Sequence, residues 1–215
     1  MKYKYVIWDF NGTVLDDTAV SMNAINKVLK KRNLPTLSSV DDLRRLFCFP
    51  VKDYYRRLGM DFADEPYEVP ADEWVRDYTA NMFSAPLSEG IWEALLKIKE
   101  GGAKQIILSA SELDMLTKQT DALGISQMFD EILGCDNVYA VSKAHIAESW
   151  IKSKNRQEIF PAIMVGDTDH DFAVSQIIGC DCVLYSGGFM SREVLEGFCV
   201  PVFDTIAEIA TYICR

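Results

Sequence analysis

The sequence predicts an α/β fold: a parallel sheet covered by helices on both faces, with a helical segment inserted near its start. Three observations predict it. From residue 88 onward, amphipathic stretches alternate with short apolar runs, which is how strands joined by crossover helices read in sequence. The N-terminal run Tyr5–Phe10 is apolar enough to be a buried strand of the same sheet. Between the two, residues 16–86 break the alternation and hold Pro35, Pro50, Pro66, Pro70 and Pro86, out of seven prolines in the whole chain.

In chain order, Tyr5–Phe10 is followed by three helical patterns in the insertion, Thr18–Lys31, Val40–Phe47 and Ala71–Phe83, separated by the prolines. The later strands are expected at Gln105–Ser109, Asp130–Gly134, Ala162–Gly166, Asp181–Tyr185 and Val200–Phe203. The helices among them are expected at Ile91–Glu100, Glu112–Leu123, Lys143–Ser153, Asp169–Ile178 and Thr205–Ile213, where apolar residues recur at helical spacing. Gly179 stops one helix just before the next strand. A chain of 215 residues can bury a full core, and the pattern divides it into a core of 1–15 and 87–215 and a helical unit of 16–86.

Composition narrows the function. Hydrophobic residues make up 49% and charged residues 25%, the balance of a globular protein. The longest apolar runs, such as Ile106–Leu108 and Ala162–Val165, are far too short to cross a bilayer, and no membrane association is expected. The start, Met-Lys-Tyr-Lys-Tyr, carries no apolar signal core, so a cytoplasmic location is expected. A net charge of −10 opposes binding to nucleic acid, whose phosphates are held by basic faces. The six cysteines have no CxxC pair or zinc spacing and read as buried reduced thiols. Cys180 and Cys182 share a strand face, yet two thiols without further ligands make a poor metal site.

The chemistry lies at the expected strand ends. Asp9-Phe10-Asn11-Gly12-Thr13 follows the first strand, and an aspartate there projects from the carboxyl edge, where open α/β sheets build their sites. Alone, it is equally a strand-ending turn. Ser109 ends Ile-Ile-Leu-Ser-Ala-Ser, which puts a hydroxyl on the same edge, although an isolated serine there is usually structural. Lys143 opens a helix in Val-Ser-Lys-Ala-His, the end that cations do not favour. Gly166-Asp167-Thr168-Asp169-His170-Asp171 sets carboxylates at a strand-to-helix turn, where aspartates also serve as ordinary helix caps.

Taken in this order, the four motifs resemble the haloacid dehalogenase superfamily, specifically its phosphoglycolate phosphatase-like and β-phosphoglucomutase-like branch, over residues 5 to about 188. The resemblance implies a Rossmann-like core with an α-helical cap of the first type. It implies a magnesium-dependent hydrolase of phosphate monoesters on a small phosphorylated metabolite, passing through a phospho-aspartyl intermediate at Asp9. Asp9, Asn11, Ser109 and Lys143 are then the catalytic positions. Ser109 would bond the phosphoryl oxygens and Lys143 would neutralise Asp9 and the phosphoryl group. Gly12, Thr13, Ala110 and Ser111 would line the substrate site. Magnesium would be held by Asp9, the backbone carbonyl of Asn11 and Asp167, and Asp171 would hold a metal-bound water or orient the lysine. This is coherent physically, because an anionic nucleophile reaches an anionic ester only where cations and donors offset the repulsion.

Asn11 departs from the family, which places a second aspartate there to protonate the leaving oxygen and later to deprotonate water. An amide can donate a hydrogen bond but delivers no proton, and losing a general acid/base costs about 10²–10⁴-fold. The alternative is therefore a catalytically impaired relative that binds a phosphorylated ligand or partner. Asn11-Gly12 is also a pair prone to deamidation, which would create an aspartate after synthesis. Dehalogenases of the superfamily leave Asp167 and Asp171 unexplained, and phosphonatases need a cap lysine that forms a Schiff base.

The interval from Ser109 to Lys143 is too short for a cap of the second type, so the helical unit is the expected lid. Within it Arg44, Arg45, Lys52, Arg56 and Arg57 form a basic group, read either as a solvated helix face or as a source of specificity, with Arg45 or Lys52 contacting a substrate carboxylate or second phosphate. His145 reads as structural within its helix, and His170 as a surface or supporting residue. No nucleic acid or membrane partner is expected, and the chain is read as a monomer or homodimer.

Overall fold

The computed structural model describes residues 1–135 and 143–215. Six strands form its sheet: β1 (Tyr5–Trp8), β2 (Lys104–Glu112), β3 (Glu131–Cys135), β4 (Ala162–Gly166), β5 (Asp181–Tyr185) and β6 (Val202–Phe203). Their spatial order is β3-β2-β1-β4-β5-β6, and every neighbouring pair is parallel. Strand β1 thus sits inside the sheet between β2 and β4, where the chain order reverses direction, the point at whose carboxyl edge open α/β sheets build their sites.

The helices are α1 (Thr18–Lys31), α2 (Val40–Leu46), α3 (Val51–Arg57), α4 (Glu68–Asn81), α5 (Ile91–Glu100), α6 (Leu113–Ala122), α7 (Lys143–Ser153), α8 (Arg156–Ile159), α9 (Asp169–Ile178), α10 (Arg192–Glu196) and α11 (Ile206–Ile213). None among the described residues is long and apolar enough to cross a membrane. Strand alternation sorts the core. Val6, Trp8, Ile107, Ile163 and Val165 face α5, α6 and α11, while Tyr5, Ile7, Ile106, Leu108 and Met164 face α7 and α9. Both sheet faces are covered, which is why the central strands are apolar throughout. Gln105, buried within β2, is satisfied: its Oε1 accepts from Trp8 Nε1 at 3.1 Å and its Nε2 donates to the Leu95 carbonyl at 2.9 Å.

Helices α1 to α4 pack around a third cluster that includes Ile25, Leu29, Leu43, Tyr54, Tyr55 and Leu58. The chain leaves the sheet for these helices and returns through one narrow pair of segments. Asp16 N donates to the Pro86 carbonyl at 2.9 Å, Ser88 N donates to the Val14 carbonyl at 3.0 Å, and Leu15 bridges Leu87. Phe189, from the loop after β5, inserts into the same cluster and joins it to the sheet layer.

Several boundaries differ from the sequence reading. The unexpected helix α3 begins directly after Pro50, because proline suits a helix start and ends only what precedes it. Helix α4 begins at Glu68 rather than at residue 71, since Pro70 falls in its first turn, where no backbone donor is needed. Strand β2 runs past Ser109 to Glu112, with its pairing to β3 shifted between Leu108 and Glu112. Strand β6 is confined to two residues beyond Pro201. The cysteines are not uniformly buried: Cys182 lies in the core, whereas Cys199 is exposed in a left-handed turn after α10.

Candidate active site

Asp9 leaves the end of β1 with its backbone N–H fixed on the Val165 carbonyl at 2.8 Å, which sets its side chain beside the end of β4. There Asp167 follows Gly166, and Thr168 begins α9. Asp171 closes a capping box: its Oδ2 accepts from Thr168 N at 3.0 Å, Thr168 Oγ1 at 2.9 Å and Asp167 N at 3.1 Å. Its other oxygen, Oδ1, accepts from Lys143 Nζ, and the same ammonium donates to Asp9 Oδ1. The acidic turn is therefore an ordinary helix cap that also aims a lysine at Asp9. Thr13 Oγ1 donates to Asp167 Oδ1 at 3.1 Å, and Phe189 N donates to Asp167 Oδ2 at 2.6 Å.

Three glycines admit this crowding. A Cβ at Gly12 would lie 2.4 Å from Asp167 Oδ2, and the residue's φ of +76° is in any case glycine's region. A Cβ at Gly188 would lie 2.1 Å from the same oxygen, and one at Gly166 would lie 2.1 Å from Asp171 Cγ.

All three carboxylates and Lys143 are buried. Burial raises the Asp9 carboxyl to about 7, with the nearby Asp171 charge adding to the rise and Lys143 opposing it. Burial, then the charges of Asp9 and Asp171, push Asp167 well above its ordinary value. Burial works to lower Lys143, but the charges of Asp171 and Asp9 outweigh it, and the ammonium is held above the usual lysine value. One cation thus faces three carboxylates whose oxygens lie within 4.8 Å of one another. That donor set fits a hard divalent ion such as magnesium, which prefers carboxylate oxygen and relieves the repulsion a single lysine leaves. Asp9 and Asp167 are the carboxylates suited to hold it. Asp171 belongs to the same acidic cluster, and its Oδ1 on Lys143 and Oδ2 in the capping box also let it orient the lysine.

Ser109 is buried in β2, where its Oγ accepts from Ser111 N at 3.1 Å. Ser111 Oγ donates to Asn11 Oδ1 at 2.8 Å, joining this turn to the loop after β1. Asn11 Nδ2 donates at 2.9 Å both to Asp17 Oδ2 and to the Tyr78 hydroxyl oxygen. Tyr78 in turn donates to Asp17 Oδ2 at 2.6 Å, and Gly12 N donates to Asp17 Oδ1 at 2.9 Å. Deamidation of Asn11 needs the Gly12 nitrogen as nucleophile. In the fold that N–H is given to Asp17 and to the Leu15 carbonyl, which opposes cyclisation.

The model of the family described as haloacid dehalogenase-like hydrolase matches residues 6–185. The chain belongs to this family. A phosphoglycolate phosphatase from Caulobacter vibrioides is 26% identical over 198 residues, covering 88% of this chain and 81% of its own. A haloacid dehalogenase-like hydrolase from Streptococcus pneumoniae superposes with a TM-score of 0.80 at 17% identity, over 99% of both chains. Protein Tyrosine Kinase A of Mycobacterium tuberculosis gives 0.81 at 19% identity over 98% of each. At such identities the structures share the fold, and the fold alone does not name the reaction.

For this haloacid dehalogenase-like chain, the structure brings together Asp9, Asn11, Gly12, Thr13, Ser109, Ser111, Lys143, Asp167 and Asp171 through the contacts above, while Ala110 is exposed beside them. Val141 and Ser142, which precede Lys143 in its motif, lie outside the described residues. Arg45 and Lys52 have other partners. Arg45 pairs with Asp42 of its own helix at 2.9 Å, and Lys52 Nζ lies 5.6 Å from the ring centres of Phe62 and Tyr67. Of the basic group, Arg44 makes the link to the site: its Nε donates to the Gly188 carbonyl at 2.9 Å. His145 is exposed on α7, and His170 stacks on Phe49 with ring centres 3.5 Å apart.

Sequence reasoning passed over Asp17, Tyr78, Gly188 and Phe189. Asp17 had a faint signal as the second of two aspartates directly before a helix. The others act through backbone groups or from 61 residues away, and short-range motifs carry no trace of such contacts.

Proposed function

We propose that the chain is a magnesium-dependent phosphate-monoester hydrolase acting on a small phosphorylated metabolite, with Asp9 carrying the phosphoryl group between two displacements. The reading rests on family membership, on the phosphoglycolate phosphatase relative, and above all on one observation: Asp9 stands at the carboxyl edge with Lys143 on its Oδ1 and Asp167 beside it. A phosphatase-type enzyme needs this combination of a carboxylate nucleophile and fixed positive charge.

Magnesium bound by Asp9, Asp167 and the carbonyl of residue 11 would supply positive charge against the phosphoryl oxygens. Lys143 opposes the rise that burial imposes on the Asp9 carboxyl and shares the charge of the incoming group. Asp171 fixes the ammonium and, through the capping box, the start of α9. The Ser109 hydroxyl lies on the same edge, in place to donate to a phosphoryl oxygen. Helices α1 to α4 act as the lid that excludes water and chooses the leaving group. Because residue 11 offers no proton, substrates whose leaving oxygen needs none are favoured.

A second reading, a phosphate-binding relative with little turnover, is favoured by the side chain of Asn11, whose two N–H groups are already given away. Phosphate release from acetyl phosphate and from a simple alkyl phosphate, with and without magnesium, separates the readings. A hydrolase cleaves acetyl phosphate only with magnesium and loses this in Asp9→Asn, with the alkyl ester slower by about 10²-fold or more. Magnesium-dependent phosphate binding without release supports the second reading. Equal release by the parent and Asp9→Asn would remove the first.

A further inference from the structure

The carboxamide of Asn11 is saturated as a donor. One N–H goes to Asp17, the other to the Tyr78 oxygen, and the carbonyl accepts from Ser111. Asp17, 1% exposed, is the counterpart: it accepts from Asn11, from the Tyr78 hydroxyl and from Gly12 N. Three donors on one buried carboxylate satisfy it without a cation. Tyr78 belongs to α4, so the network ties the inserted helices to the loop after β1.

We propose that residues 11 and 17 are a matched amide–carboxylate pair, locked by Tyr78, that holds α4 against the loop after β1 and fixes the orientation of the residue 11 side chain. Asp17 and Tyr78 are positioning residues. The pair is directional. An aspartate at 11 would face Asp17 across the 2.9 Å now spanned by an N–H donor, and two carboxylates at that distance repel. Exchanging the two types restores every contact. An asparagine at 17 keeps a carbonyl for Gly12 N, and its amide nitrogen donates to the new carboxylate at 11 and to the Tyr78 oxygen. The Tyr78 and Ser111 hydroxyls then both donate to residue 11.

Four proteins test the pairing: the parent, Asn11→Asp, Asp17→Asn and the double exchange. Thermal midpoints without magnesium need no catalysis. Each single change should lower Tm by on the order of 5 °C, and the double exchange should recover at least half of the summed loss. Additive losses in the double exchange would overturn the pairing. The kinetic arm rests on the phosphate-hydrolase reading. With para-nitrophenyl phosphate, the double exchange should raise kcat over Asn11→Asp about 10-fold or more while KM moves less, because only there does a carboxyl at 11 sit in an intact network. Recovery of Tm without a gain in kcat upholds the pair and counts against the hydrolase reading instead. Tyr78→Phe, which keeps the stack on Trp74 at 4.8 Å, should speed deuterium exchange in residues 68–81. Unchanged exchange there would overturn the lock.

Discussion

Arg44 and Asp167 hold opposite ends of one peptide unit. Arg44 Nε donates to the Gly188 carbonyl at 2.9 Å, and the N–H of the same peptide, on Phe189, donates to Asp167 Oδ2 at 2.6 Å. A guanidinium on the carbonyl side polarises the N–H and strengthens its bond to the carboxylate. A residue of the inserted helices thereby fixes a proposed metal ligand without touching it.

Removing that grip should loosen Asp167. Arg44→Ala is expected to weaken magnesium binding about five-fold, the equivalent of about 1 kcal/mol, measured by titration calorimetry. An unchanged dissociation constant would show that the peptide holds Asp167 unaided.

Lys143 is the one cation among the buried carboxylates described here, and its loss leaves Asp9, Asp167 and Asp171 without a counter-ion. Lys143→Met keeps much of the volume and should cost about 3–5 kcal/mol of unfolding free energy in urea without magnesium. Part of that should return when magnesium is added, by mass action on the folded state. A loss under about 1 kcal/mol would contradict the buried pairing.

The raised carboxyls give a pH dependence with a definite sign. Asp9 is held at about 7 against an ordinary 3.8, so between those values the folded chain binds protons that the unfolded chain has released. Its contribution to metal-free stability therefore falls as pH rises from about 4 to about 7. Magnesium must displace the protons of Asp9 and Asp167, so the gain in Tm on adding magnesium should grow from pH 6 to pH 8. A gain that is flat with pH would mean that these carboxyls are ionised before the metal arrives.

Two glycines separate the metal side of the cluster from the lysine side. Gly188→Ala drives a Cβ into Asp167, and the variant should fold yet lose most of its magnesium-induced rise in Tm. Gly166→Ala drives a Cβ into Asp171, breaks the capping box of α9, and should lower Tm even without metal, by more than the loss of an ordinary cap at about 1 kcal/mol. If the two variants responded alike in both measurements, the division of roles between Asp167 and Asp171 would be wrong.

Much of the sheet was legible because periodicity and chain order suffice for it. The expected limits of α1, α5, α7, α9, β4 and β5 coincide with the observed ones, since caps, glycines and uninterrupted apolar runs mark their ends. Helix α3 went unread and the start of α4 was misplaced because Pro50 and Pro70 read as separators, although proline starts helices as readily as it ends them, while the last strand was drawn across Pro201 and β6 begins after it. Of the cluster, the residues placed by strand and helix periodicity could be found from sequence: Asp9 and Asp167 just past strand ends, Ser109 within β2, and Lys143 and Asp171 in the first turns of helices. The grip of Arg44 on a backbone carbonyl could not, nor could the bond from Tyr78 to Asp17, because a main-chain partner or a partner in a distant helix leaves no spacing to read. For the same reason Arg45 and Lys52 stood out as much as Arg44 did, and only the folded chain separates the three.

The inward position of β1 also orders events during synthesis. Asp9 leaves the ribosome 134 positions ahead of Lys143, which meets it in the fold. Asp171 follows later still, and β4 must pair with β1 before the ammonium has both of its partners. A chain that stops before Lys143 carries the Asp9 carboxyl without the ammonium that faces it in the fold.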